Sequence, residues 1–295
     1  MIIRIDLMVG KQSFLKKKSM LKKMVNSIQD LFFVKKEFVK YGQSVAEFDL
    51  AEEGKIKFAQ WLHPNESPVH IDQSTVDFYK QFVKKGSLVI DIGTHTGDTT
   101  VPMAIAAGPQ GLTLGLEPNP HLYPTIKMNA GLNKEKTNII ALNFAATTHD
   151  GEFTFASGDA SFNNGGIMGF STNIKKNNRY TFQVQGKNLQ EYLFKEYPNW
   201  LDRLTLIKID AEGYDKEILK TMPLLIQKYK PTIITECFKH LTSSERNDLF
   251  DTLSNHGYQL YFIDDFGNKN MPAITREGMN SRKHFDLVAI PNRLQ

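Results

Sequence analysis

The amino-acid sequence predicts an α/β protein: a doubly wound, mostly parallel sheet of seven strands, led by an N-terminal helical or irregular extension and interrupted by a small β insertion. Three observations predict it. Leu88-Val-Ile-Asp-Ile92 is a short apolar run rich in β-branched residues that ends in a glycine turn, Gly93 to Gly97, as a fully buried strand feeding a helix does. Further apolar runs near residues 112–117, 138–142, 204–209, 232–235, 259–263 and 284–290 recur, the early ones alternating with helical stretches, which argues for parallel strands with helices on both faces. Between residues 151 and 186 the apolar spacing becomes strand-like alternation, the mark of the insertion.

We divide the chain into an extension over residues 1–85 and a main domain over 86–295. The first 40 residues hold ten Lys or Arg against three Asp or Glu, a charge of +7 within a total of +4, so the remainder is three units negative. That balance argues against nucleic acid as a partner of the main domain. Within Lys11 to Lys40, Leu15, Leu21, Val25, Ile28, Phe32 and Phe33 fall at roughly helical spacing. Such a helix either docks on its own domain or lies on an anionic bilayer as a peripheral contact. The start of the chain lacks a convincing secretory core and no run approaches the ~18 apolar residues of a membrane span, so a cytoplasmic, at most membrane-associated, location is expected. The one cysteine, Cys237, agrees, and reads as a small buried side chain.

Residues 41–70 look irregular, with turns at Trp61-Leu-His-Pro64 and Asn65-Glu-Ser-Pro68; His63 and His70 there read as incidental. Val76, Tyr79, Phe82 and Val83 then share a helix face, capped near Asp72 or Ser74 and finished before Gly86. Asp91 stands at the carboxyl end of the first main strand, where open α/β sheets bind ligands. The spacing D-x-G-x-x-x-G lacks the third glycine of the nicotinamide fingerprint G-x-G-x-x-G, which counts against a nicotinamide oxidoreductase. A helix over Thr99 to Ala107 is stopped by Gly108-Pro109. The second strand, Leu112 to Glu117, again ends in an acid, the position from which a carboxylate grips both hydroxyls of a ribose.

A helix over Leu122 to Leu132 and a strand over Asn138 to Leu142 follow. Glu152 to Ala156 and Tyr180 to Val184 alternate as paired strands, enclosing a Gly-, Asn- and Ser-rich stretch from Ser157 to Arg179 that reads as a lid or mobile loop. Leu204 to Ile209 delivers Asp210, then Glu212-Gly213, the former of which either acts in a site or caps the helix Tyr214 to Leu219. Thr232 to Thr235 delivers Glu236, with His240 in the loop beyond. Asp210 and Glu236 end neighbouring strands, so they face one cavity and either share a proton or bind a divalent cation. With no fixed third ligand a metal is not favoured. His240 is the alternative base. A helix over Ser244 to Ser254 and strands over Gln259 to Ile263 and His284 to Ile290 complete the sheet.

Asp91-Ile-Gly-Thr-His-Thr-Gly-Asp98, Glu117-Pro-Asn-Pro120 and Ile207-Lys-Ile-Asp-Ala-Glu-Gly213 resemble the successive motifs of the FkbM family of S-adenosylmethionine-dependent methyltransferases, over about residues 86 to 290. Relatives commonly carry Ala-Asn where this chain has Thr94-His95. The resemblance implies the class I methyltransferase sheet with an antiparallel ending, and S-adenosylmethionine as cofactor. It implies cofactor contacts from Asp91, Gly93, His95, Gly97, Glu117 and Asn119, with Asn143 and Ala145 beside the adenine. Asp210 would face the transferring methyl group, with Glu212, Glu236 and His240 as the other catalytic candidates. It further implies O-methylation of a small-molecule acceptor, a sugar, glycan or natural-product hydroxyl. The basic N-terminus favours a membrane-linked glycan precursor. The rival reading is a catalytically inactive interaction protein on the same fold, since fold does not fix function.

Overall fold

The computed structural model describes residues 39–157, 165–168, 180–264 and 271–292. The chain divides after Phe38, and every described residue belongs to the second, compact unit, Val39–Gln295. The basic amphipathic segment lies outside the described residues, as does most of the Ser157 to Arg179 stretch. Among the described residues no helix is long and apolar enough to cross a membrane.

The second unit opens with an antiparallel hairpin, β1 (Gln43–Leu50) and β2 (Gly54–Trp61). This corrects the expectation that residues 41–70 are irregular. The pattern is hard to read because β1 buries only Leu50 fully, its other inward residues Ala46 and Phe48 staying half-buried, while in β2 buried Ile56 and Phe58 alternate with exposed Lys55 and Lys57. Gly54, at φ 67°, closes the turn in the left-handed conformation that a short hairpin loop ends on. Helix α1 (Gln73–Lys80) follows, capped by Asp72, whose carboxylate accepts from the Thr75 N–H at 2.9 Å.

The main sheet then builds as expected: β3 (Leu88–Ile92), α2 (Thr100–Ala107), β4 (Leu112–Leu116), α3 (Tyr123–Leu132) and β5 (Ile139–Leu142). The insertion comprises β6 (Ala145–Ala146), β7 (Gly151–Ser157), β8 (Gly166–Ile167) and β9 (Tyr180–Lys187), ordered β6-β9-β7-β8. Helix α4 (Leu189–Glu196), β10 (Leu204–Ile209), α5 (Asp215–Lys220), α6 (Pro223–Tyr229), β11 (Thr232–Cys237), α7 (Ser243–Ser254), β12 (Tyr258–Ile263) and β13 (Phe285–Pro291) complete the unit. Helices α4 and α6 were not foreseen.

The seven-stranded sheet has the order β12-β13-β11-β10-β3-β4-β5, with β13 antiparallel to both neighbours. Every residue of β3 and β4 is buried, because helices cover both faces. One face carries Val89, Leu206, Ile234 and Val288 under Tyr79 and Met103 of α1 and α2. The other carries Ile90, Ile207, Ile233 and Leu287 under α4 to α7. The hairpin belongs to this unit. Asn129 of α3 and Asn133 at its C-terminal cap bond the backbone of β2 as a neighbouring strand would: Asn129 Oδ1 accepts from Ala59 N at 2.6 Å, and Asn133 Oδ1 from Lys57 N at 2.8 Å. Asn129 Nδ2 also donates to Thr96 O at 2.8 Å, tying the hairpin's support to the glycine turn.

Candidate active site

The site is organised on one transverse row at the carboxyl edge of the sheet. The register pairs Ile92 with both Leu116 and Ile209, Ile209 with Thr235, and Glu236 with Asp286. One position further, Glu117, Gly93, Asp210, Glu236 and Asp286 stand side by side across five strands. Neighbouring strands run about 4.8 Å apart, so these are near neighbours.

Gly93 is the pivot of this row. Its φ is 80°, and a Cβ there would lie 1.9 Å from the Asp210 carbonyl oxygen. Its N–H donates to Leu116 O at 3.0 Å, while Asp210 N donates to Ile92 O at 2.9 Å. The glycine turn thereby bridges the ends of β4 and β10. Gly97, at φ 99°, serves packing instead: a Cβ would meet Ile126 Cδ1 of α3 at 2.5 Å.

Between the two glycines His95 adopts φ 50°, which turns its N–H onto Glu117 Oε2 at 2.9 Å. Asn119 N donates to the other oxygen, Oε1, at 2.8 Å. Glu117 is buried, and burial pushes its carboxyl up to about 7 against the pull of those two N–H groups. Asn119 is buried too, its Oδ1 accepting from His121 N at 2.9 Å. Ala145 in β6 and Phe144 before it form an adjoining apolar wall.

These groups surround a cavity of about 430 Å³, within the roughly 300–1,000 Å³ range of small-molecule sites. Gly93, His95, Glu117, Asn119 and Ala145 line it, as do Asp210 and Glu212 across from them. The insertion supplies Phe155 and Ile167 as further walls, and Glu66 comes from the segment after the hairpin.

Several residues expected in the site lie elsewhere. Asp91 is fully buried beneath the glycine turn and does not line the cavity. It is still inside β3, and the pleat sends its side chain to the face under α1 and α2, where Thr99 and Thr100 hydroxyls donate to Oδ2 at 3.1 and 2.6 Å. Lys208, on the same face of β10, brings Nζ to 3.7 Å from Asp91 Oδ1 and 3.4 Å from Asp210 Oδ2. Burial pushes the Asp91 carboxyl up while Lys208 and the hydroxyls pull it back; Lys208 stays charged because Asp210 and Asp91 outweigh its own burial. Asn143 is exposed and its amide is spent on Glu117 O at 2.7 Å, so it pins the turn after β4 rather than reading a ring in the cavity.

Glu236 does not line the cavity either. It is buried behind Asp210 and hydrogen-bonded to His284 Nε2, with its other oxygen unpartnered. Burial first, then Asp210, Asp215, Glu212 and Asp286, push its carboxyl up to about 9. Glu212, at φ 52° on the rim, is raised by burial and by Asp210. It does not cap α5. Asp215 does the local work, accepting from Gly213 N and the Thr235 hydroxyl, both at 3.1 Å. His240 is exposed, edge-on to Phe238, and off the cavity. Cys237 is buried, a small core side chain as expected. Among the described residues no three His, Cys, Asp or Glu side chains come together to hold a metal ion.

Sequence reasoning missed Lys208, although it sits two residues before Asp210 and therefore on the same strand face. It missed His284, which only the antiparallel pairing of β13 brings to Glu236. It also missed Arg246, buried in α7, whose guanidinium donates to five carbonyls, including Phe238 O and Lys283 O, and to Cys237 Sγ. That staple holds the two loops carrying His240 and His284.

The model of the FkbM methyltransferase domain matches residues 91–260, more than half of the chain. Among solved structures, FkbM methyltransferase from Methylobacillus flagellatus KT is 14% identical, with 70% of this chain and 44% of that one covered and a TM-score of 0.43. Fibrillarin from Aeropyrum pernix, solved with natively bound S-adenosyl-L-methionine, is 13% identical over 86% and 99% of the chains, TM-score 0.42. Precorrin-6y C5,15-methyltransferase from Geobacter metallireducens GS-15 is 13% identical over 78% and 95%, TM-score 0.39. No curated protein sequence matches the chain. On the matched residues, which contain the glycine turn, Glu117 and Asp210, the chain belongs to the FkbM methyltransferase family.

Proposed function

We propose that this chain transfers a methyl group from S-adenosylmethionine to a hydroxyl oxygen of a sugar, glycan or natural-product acceptor. The observation that carries the reading is Glu117. Its carboxylate is buried at the edge of a nucleoside-sized cavity and steadied by two backbone N–H groups, and its remaining lone pairs suit a ribose diol. The apolar Leu122 and Phe144 beside it suit an adenine face. The residues present therefore fit the cofactor.

When bound, S-adenosylmethionine supplies a methyl group already activated on a sulfonium. The chain is left to hold it by the nucleoside, exclude water, orient the acceptor hydroxyl and take up its proton. Glu117 holds the nucleoside. Asp210 is about half exposed at the cavity edge and takes up the proton, while Lys208 at 3.4 Å orients its carboxylate. Glu212 on the rim stands where the acceptor enters.

Calorimetric titration with S-adenosylmethionine tests the donor half. Micromolar binding that falls about tenfold or more in Glu117→Gln is expected, and no binding to the folded protein overturns the reading. Mass spectrometry of the methylated product tests the acceptor half: the new methyl group is expected on oxygen, and one on nitrogen or carbon refutes O-methylation.

A further inference from the structure

The proposed binding of S-adenosylmethionine gives a role to Glu66, which lies outside the matched residues 91–260 yet lines the same cavity as Gly93 and Glu117. The segment that presents it is firmly built. Asn65 N donates to His63 Nδ1 and Glu66 N to His63 O, both at 3.0 Å. The buried His63 ring stacks on Trp61 with centroids 4.6 Å apart and meets Tyr41 edge-on at the same distance. The hairpin that carries Trp61 is in turn fastened to α3 by Asn129 and Asn133.

Glu66 Oε1 stands 3.6 Å from His95 Nε2, and the N–H of that same His95 is on Glu117. His95 thus separates two carboxyl groups of the cavity, one at its backbone and one at its ring. A nucleoside with its diol on Glu117 directs its 5′ substituent past the glycine turn. In S-adenosylmethionine that substituent ends in an amino acid, with an α-carboxylate and an α-ammonium. The start of α2, whose first residues adjoin the glycine turn, favours the carboxylate through the positive end of the helix dipole. The ammonium needs an acid close by, and the Glu66 carboxylate is placed for it.

We infer that Glu66 binds the α-ammonium of the cofactor's amino-acid end, so that the N-terminal hairpin completes the cofactor site. The geometry that carries this is the pairing of Glu66 with His95 on the far side of that residue from Glu117. A hydrogen bond to a charged group in a partly buried site is worth about tenfold or more in affinity.

The test compares S-adenosylhomocysteine with 5′-methylthioadenosine, which has the nucleoside and sulfur but no amino-acid end, in the wild type and in Glu66→Gln. Calorimetry is expected to show the wild type binding S-adenosylhomocysteine the more tightly. Glu66→Gln should lose about tenfold for S-adenosylhomocysteine and nothing for 5′-methylthioadenosine. Retained 5′-methylthioadenosine binding also shows that the variant is folded. Three results overturn the inference: equal wild-type affinity for the two ligands, no loss for either in the variant, or equal loss for both, which would make Glu66 a prop for His95. A wild type that binds neither ligand overturns instead the cofactor reading itself.

Discussion

Replacing Asp91 by Ala separates a residue that touches the cofactor from one that holds the platform beneath it. Asp91 Oδ2 accepts two threonine hydroxyls, and Oδ1 faces the Lys208 ammonium at 3.7 Å, with Asp91 and Lys208 both buried. Charge-assisted hydrogen bonds contribute about 1.5–3 kcal/mol each, and breaking a buried ion pair from one side costs about 3–5 kcal/mol. Lys208 keeps Asp210 at 3.4 Å, which places the expected loss at the lower end, about 3 kcal/mol. Urea unfolding followed by the fluorescence of Trp61 and Trp200 reads this directly. Calorimetry on the folded variant should then find affinity for S-adenosylmethionine within about threefold of the wild type, because no Asp91 atom lines the cavity. Adding Lys208→Met to Asp91→Ala should cost less than the sum of the two single changes, since the double variant has no buried charge left at that pair. A variant of unchanged stability that loses cofactor affinity tenfold would refute the placement of Asp91 beneath the turn.

Gly93→Ala is expected to abolish cofactor binding and lower stability by more than about 2 kcal/mol, because the new Cβ would lie 1.9 Å from a backbone carbonyl and the residue would be held at positive φ; wild-type affinity in calorimetry would contradict this. Three carboxyls, Glu117 and Asp215 at about 7 and Glu236 at about 9, bind their protons more tightly in the folded chain than in the unfolded one. The native state therefore carries the more protons from about pH 4 up to those values, and these groups make stability fall as pH rises through that window. The thermal midpoint of the ligand-free protein should be higher at pH 5.5 than at pH 8, and the opposite slope would count against the burial of these groups.

What could be read from the chain, and what could not, follows from the range over which each signal acts. A strand buried on both faces is written as a continuous apolar run, so β3, β4, β10 and β11 are legible, and so are the acids that follow them. Asp91 and Glu117 look alike in sequence, each an acid near a strand end. The difference is two positions along the sheet: Asp91 pairs with Gly115, whereas Glu117 stands level with Gly93, so the two acids share a face but only Glu117 lies beyond the end of its strand, and Asp91 packs with Lys208. Distance from the strand end, not the pleat, decides between a ligand contact and a buried ion pair, and a strand boundary read from sequence is too coarse to see it. Glu236 and His284 illustrate a longer range. The histidine nearest in the chain, His240, is exposed, and the one that pairs with Glu236 arrives on the antiparallel strand β13.

Glu66 marks the furthest reach of this argument, because nothing local distinguishes a glutamate in a proline-bounded turn. Its place depends on Asn129 and Asn133 holding β2, on Trp61 and His63 stacking, and on His95 accepting a positive φ so that its ring and its N–H point to different carboxyls. The Asn129 and Asn133 bonds join residues before 91 to residues after it, while the Trp61–His63 stack supports the segment that carries Glu66. Gly93, Glu117, Asp210 and Glu236 lie within the residues matched to the family, 91–260, while Glu66 lies before them. If Glu66 binds the amino-acid end, changes in the hairpin should alter affinity for S-adenosylhomocysteine while leaving 5′-methylthioadenosine bound as before, and the part that residues before 91 play in the site becomes measurable in two titrations.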